Sequence, residues 1–186
     1  MAEPSARSAS ARTFGPDVAT CEVLTFREGA LSALAHDLLL RVTAFELSID
    51  PATPAVSARF DAASLRVVSA MRDGRPLPDA LRPRDLREIE ATIASTVLRA
   101  PRFAEIRFTS TDVSRREDGY DVHGTLTLAG AARPVAVAVR RDGERLVAEV
   151  PLHQPAFGIR PYSAMLGTLR VRPDVLVRVA VPAGGL

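Results

Sequence analysis

With 186 residues, 47% of them hydrophobic and 25% charged, the chain fits one globular domain that buries its own core. All 24 basic residues are arginine, interleaved with acids in runs no longer than Arg115–Arg116, so the pI of 9.3 reads as a compositional bias rather than a nucleic-acid surface. The missing lysine excludes Schiff-base chemistry and a Walker-type phosphate loop, and the single cysteine, Cys21, excludes an intrachain disulfide.

Residues 1–16 are rich in Ala, Ser, Arg and Pro and lack the apolar stretch of a secretory signal, so a flexible tail is expected before a domain over 17–186. No apolar run approaches the roughly 18 residues of a membrane span, and a soluble, cytoplasmic protein is the expectation. From Val18 onward the dominant period is two. Cys21 falls in an apolar–polar alternation around Val23 and reads as a buried structural thiol. A short helical turn is expected at Ala30–Ala35. Leu38, Leu40 and Val42 then alternate with polar or outward positions, and Phe45, Leu47 and Ile49 follow with the parity shifted by one, which predicts a bulge or bend near Ala44. Val56, Ala58 and Phe60 form the next run, before Leu65 and Val67.

Arg75 to Pro83 contains three prolines and reads as loop. Beyond it, Leu86, Ile89, Ile93 and Val97 recur at helical spacing, with Asp85 three residues before Glu88 in the manner of a capping box, so one short helix is expected over about 85–98. Its apolar stripe must lie on a sheet or across a barrel end. Two-residue periodicity returns with Ile106 and Phe108, and continues through Tyr120, Val122, Leu126 and Leu128. Val135, Val137 and Val139 come next, then Leu146 to Leu152 at alternate positions, and Leu169, Val171 and Val175 to Val181. Asp118-Gly119 and Asp142-Gly143 are the strongest turn signals, because both residue types tolerate positive φ. About eight strands joined by tight turns predict an all-β fold, an up-and-down antiparallel barrel with no free edge.

Several segments resemble the YceI-like (polyisoprenoid-binding, lipocalin-like) family. Val97 to Ser110, containing Phe103-Ala104-Glu105-Ile106-Arg107-Phe108, is similar to the family stretch ending Tyr-Pro-x-Ile-x-Phe-x-Ser. Gly124 to Val135 resembles its Gly-x-Leu-Thr-Leu-His-Gly-Val-Thr-Arg-Pro-Val, with Ala129 in place of the histidine. Ala156-Phe157-Gly158-Ile159 resembles Asp-Phe-Gly-Ile. Ala35-His36-Asp37, Pro161-Tyr162-Ser163 and Gly167 to Val171 are similar to one branch of the family. The likeness spans about Val18 to Val181 and implies an eight-stranded lipocalin-like barrel around an elongated apolar ligand.

Polar candidates are few. The three histidines show no metal-ligand spacing, and no nucleophile elbow, paired glycosidase carboxylates or dinucleotide glycine pattern is present, so no catalytic site, metal or cofactor is expected. His123 and His153 should face solvent. His36 either shapes the turn before the strand at Leu38 or contacts a ligand headgroup at the barrel mouth. Phe45, Phe60, Phe108, Leu126, Phe157 and Tyr162 are the other candidates for lining a ligand cavity, although apolar residues on a buried face also simply fill it. The expected function is thus a non-catalytic binding or carrier protein for an isoprenoid or a fatty-acyl or amide lipid. The alternative is a filled barrel acting as a structural or stress-related interaction module, for which a homodimer is one expected form. No nucleic-acid partner is expected.

Overall fold

The computed structural model describes residues 11–28, 36–164 and 169–184. The helical turn expected at Ala30–Ala35 lies outside the described residues, as do residues 1–10 of the expected tail. Alternation of β-branched with polar side chains becomes β1 (Arg12–Phe14), β2 (Thr20–Glu28), β3 (Asp37–Val42), β4 (Phe45–Asp50), β5 (Ala55–Asp61), β6 (Leu65–Arg72) and β7 (Arg75–Leu77). After the helix come β8 (Glu105–Arg115), β9 (Gly119–Leu128), β10 (Ala131–Asp142), β11 (Arg145–His153), β12 (Ser163–Ala164) and β13 (Leu169–Pro182). All described strand pairs are antiparallel and form one curled sheet, in the order β1–β4–β5–β8–β9–β10–β11–β13–β2–β3–β6–β7, with β12 on β13.

The described residues therefore hold thirteen strands where eight were expected. Bending explains two of the five additional strands. Thr43-Ala44 interrupts one long ribbon between β3 and β4, at the predicted parity shift, and Ala62 to Ser64 interrupts its partner between β5 and β6. The two breaks lie side by side. Thr43 N donates to Ser64 O at 3.1 Å, Asp61 N to Ala44 O at 3.0 Å, and Ala44 N to Ser64 Oγ at 3.2 Å, so the corner leaves no backbone group wasted. Below the corner β4 pairs with β1 and β5; above it β3 pairs with β2 and β6. The short edge pieces β1, β7 and β12 supply the remaining three.

Several expected boundaries move. Arg12–Phe14 falls inside the stretch read as tail, but it pairs with β4 and buries Phe14, while the Arg12 guanidinium donates to the Gly184 carbonyl. The folded part thus starts before residue 17. The stretch read as loop from Arg75 opens instead with β7, returned onto β6 by a tight turn at Asp73 and Gly74 with φ of 52° and 75°. The helix, α1 (Pro83–Thr92), begins two residues earlier than the expected 85. Proline suits its first position, and Asp85 accepts from Arg82 N at 3.0 Å, so it caps the helix from the third position. The helix then widens into a π-turn over Ile93–Val97, with Leu98 N bonding back to Ile93 O at 2.9 Å. Gly119 opens β9 at negative φ, unlike the turn residue expected; a Cβ there would lie 1.9 Å from Val139 O, so close strand approach requires the glycine.

The core has two parts. The larger gathers Phe14, Ala19, Cys21, Leu40, Val42, Phe45, Leu47, Ala58, Leu65, Leu146, Val181 and Ala183 around the corner and the end of the sheet where β2 begins. The smaller packs Leu126, Leu128, Ala129, Phe157 and Ile159 against the far end of α1 and the π-turn through Val97 and Leu98.

Candidate functional site

Strand parity decides what the inside of the sheet looks like. Cys21, Val23 and Thr25 of β2, Leu38 and Leu40 of β3, Val135, Val137 and Val139 of β10, and Val175, Val177, Val179 and Val181 of β13 all point the same way. They line a cavity of about 1180 Å³, closed on another side by Ile89, Ile93 and Val97 of the helix and π-turn. Valine and leucine dominate this wall, and their side chains leave the axis open. The volume exceeds the roughly 300–1000 Å³ usual for small-molecule pockets.

The register places the two ends. Cys21 pairs with Val179 and Leu146 with Val181, near Phe14, Ala19 and Ala183. This end is an apolar floor. At the other end Val171 pairs with Arg27, its N–H donates to Tyr162 O at 3.0 Å, and His36 falls one step beyond β3, level with Arg27. Arg27, His36, Gln154, Tyr162 and Arg170 all line the cavity there, facing Asp85 and Glu88 of α1. Asp37 is not free to form a pair with His36. Its Oδ1 accepts from Arg27 N at 2.7 Å and lies 4.0 Å from Arg27 Nε.

Two groups of this rim differ in how well they are satisfied. Gln154 is buried, and its Nε2 donates to Arg172 O at 3.0 Å. His36 Nδ1 is buried and has no hydrogen-bond partner among the described residues. An unsatisfied buried polar atom typically costs about 1–3 kcal/mol. A second polar spot lies lower on the wall, where Asp50 and Arg115 approach the cavity. Bonds from Thr53 Oγ1 at 2.6 Å and Ala52 N at 2.9 Å hold the Asp50 carboxyl below its usual pKa. On the floor, burial first and Glu22 second push the Cys21 thiol up to about 12.

Of the residues expected to line a ligand site, His36, Phe60, Phe108, Leu126 and Tyr162 lie on the cavity wall. Phe45 and Phe157 do not. Phe45 stands opposite Phe60 in the ladder, with ring centroids 5.8 Å apart, and packs into the corner. Phe157 belongs to a 3-10 turn, Gln154–Phe157, that turns its ring into the smaller core. Phe108 lies over Gly124, where a Cβ would come within 2.5 Å of the ring, so this glycine sets how far the ring leans from the axis. His123 and His153 are exposed, the latter 2.8 Å from Asp174 Oδ1.

The charged wall residues escaped the sequence reading. Arg27 continues the parity of Cys21, Val23 and Thr25, and Gln154 that of Leu152; a polar residue in phase with an apolar run was the available signal. Arg115 was hidden by a bulge between Ser110 and Asp112 that carries the inward face from Ile106 and Phe108 to Val113 and Arg115. Among the described residues no group of His, Cys, Asp or Glu is arranged to hold a metal, and no helix is long and apolar enough to cross a membrane.

The profile of the YceI-like domain family matches residues 32–183. No curated protein matches the sequence. Among solved structures, Burkholderia cenocepacia BcnA superposes with a TM-score of 0.57 at 16% identity, covering 88% of this chain and 94% of that one. A polyisoprenoid binding domain from Saccharophagus degradans, implicated in plant cell wall breakdown, superposes at 0.58 with 11% identity, covering 92% and 95%. At these identities the likeness concerns the fold.

Proposed function

The chain belongs to the YceI-like domain family, and on that premise we propose that it is a non-catalytic binding or carrier protein enclosing one apolar chain, isoprenoid or fatty-acyl. The observation that carries this reading is the cavity of about 1180 Å³ walled mainly by valine, leucine and isoleucine. With each bent pair counted as one ribbon, eight ribbons surround it: β2, β3–β4, β5–β6, β8, β9, β10, β11 and β13. A barrel of about eight strands is wide enough to be filled by side chains or to hold one small ligand. The open volume favours the second outcome, and a barrel packed solid as an interaction module would leave no comparable space.

An isoprenoid is the chain class suggested by the polyisoprenoid binding domain that shares the fold. The energetics suit any long apolar chain. Burial of roughly ten methylenes at about 0.8 kcal/mol each contributes on the order of 8 kcal/mol. Association and ordering offset part of this, which leaves affinities in about the micromolar range or weaker without headgroup contacts. The test is titration of the delipidated full chain with a neutral, environment-sensitive apolar dye, followed by displacement with farnesol and with hexadecanol. Saturable one-to-one uptake and full displacement by either chain are expected. If neither dye nor chain binds saturably, the proposal fails.

A further inference from the structure

The two ends of the cavity differ in chemistry, and a ligand with two different ends would lie in it one way round. We propose that the bound chain is a single-headed amphiphile whose anionic oxygen headgroup, carboxylate or phosphate, sits among Arg27, His36 and Arg170, with its tail directed at the Phe14 floor. This deepens the carrier reading and rests on it.

Three observations support the assignment. His36 Nδ1 is buried at the rim without a partner among the described residues, so an oxygen there would satisfy it. Arg27 and Arg170 line the same end on neighbouring strands, and guanidinium groups bind carboxylate and phosphate through paired, charge-assisted hydrogen bonds. The acids nearby are placed against other groups: Asp85 caps its own helix, Asp37 accepts from Arg27 N and lies 4.0 Å from Arg27 Nε, Glu28 stands across the ladder from Arg170, and Glu88 is exposed on the facing helix. The strand side thus offers two guanidinium groups, with Asp37 at Arg27 and Glu28 across the ladder from Arg170, together with a buried hydrogen-bonding atom that has no partner among the described residues.

The orientation follows from β2. Its wall residues run Arg27, Thr25, Val23, Cys21 from rim to floor, six residues that span roughly 20 Å at about 3.3 Å each. No charged residue interrupts that line on β2. Arg115 lies on a different part of the wall, beside Asp50, and provides an internal control.

The experiment compares palmitate, hexadecyl phosphate, hexadecanol and hexadecylamine as displacers of the neutral dye, in the full chain and in Arg170→Gln, His36→Gln and Arg115→Gln. One or both anions should bind at least about tenfold tighter than hexadecanol, with the amine weakest; which anion leads separates a carboxylate from a phosphate ligand. That preference should shrink to within about threefold in R170Q and H36Q and persist in R115Q, while the urea midpoint of each variant reports that it is folded. Equal affinity for anions and hexadecanol in the unmodified chain would overturn the headgroup assignment and leave the carrier reading intact. Loss of the preference in R115Q alone would overturn it too, by placing the head at the other polar spot. Failure of all four ligands would reject the carrier reading itself. Cys21 reports the tail: palmitate should slow its reaction with a thiol reagent at pH 9 and octanoate should not, whereas equal protection by both would contradict the proposed direction.

Discussion

The floor and the rim of the cavity are built on the same strands, yet they are opposite in character. At the floor, Phe14, Ala19, Cys21, Leu146, Val181 and Ala183 belong to the larger buried core. At the rim, Arg27 continues the inward phase of β2, while His36, Gln154, Tyr162 and Arg170 line the cavity from strand ends and turns. Along β2 the change takes place in six residues, between Cys21 and Arg27, with no change of parity. The lesson is that burial at one end and recognition at the other need only a change of residue type, because the backbone presents every second side chain to the interior in either case.

The contrast is sharpened or broken by mutation, and the largest effect belongs to the floor. Phe14→Ala should destabilise the fold by about 3–5 kcal/mol, since it removes a ring that is 4% exposed and anchors β1 to the core. Urea unfolding measures this, and a loss below about 1 kcal/mol would show that β1 is an ornament rather than a floor. The next effect lies between the two ends. Ala148→Phe puts a ring into the lumen opposite Val179, where there is room for it. It should weaken chain binding by at least about tenfold while changing the unfolding free energy by no more than the roughly 1–3 kcal/mol typical of added core bulk. Undiminished binding would mean that the chain does not pass Ala148.

A smaller effect concerns protons. Cys21 is held neutral in the fold up to about 12, against 9.0 for an ordinary thiol. The unfolded chain loses this proton first, so the stabilisation is fully present below pH 9.0 and declines as pH rises towards 12. The decline from this group approaches about 1.4 kcal/mol per pH unit. Cys21→Ala should therefore show a shallower alkaline loss between pH 9 and 11 in urea titrations, and identical slopes would contradict a buried thiol at the floor. The smallest effect is at the rim. Arg170→Gln should change stability by no more than about 0.5 kcal/mol, because its side chain is exposed and the change acts on the ligand alone.

Much of the wall was legible because period two survives wherever strands run straight. Val135, Val137 and Val139, or Val175 through Val181, announce an inward face in any window of seven residues. The bend at Thr43-Ala44 was legible for the same reason, since it shifts that period by one. What the pattern concealed is where the period is reset by geometry. The bulge after Ser110 moves Arg115 inward, although its neighbours in sequence gave no alternation to follow. Three prolines suggested a loop from Arg75, yet Pro76 sits on the edge strand β7, where a missing N–H is tolerated. Phe45 and Phe157 are candidates for the wall as aromatics of apolar segments, and both fill the core instead; one is turned into the corner and the other into a 3-10 turn, outcomes that depend on packing partners distant in sequence. His36 stood out as the polar residue at the mouth, whereas its neighbour Arg27 was masked by a run that began as core.

The most direct test of the central claim is native mass spectrometry of the full chain purified without detergent and then offered palmitate and farnesol. A greasy lumen open to one chain predicts a single added mass per chain, from co-purified lipid or from an offered ligand, retained in R170Q at high ligand and lost in A148F. A spectrum of bare protein alone, before and after both ligands, would contradict it.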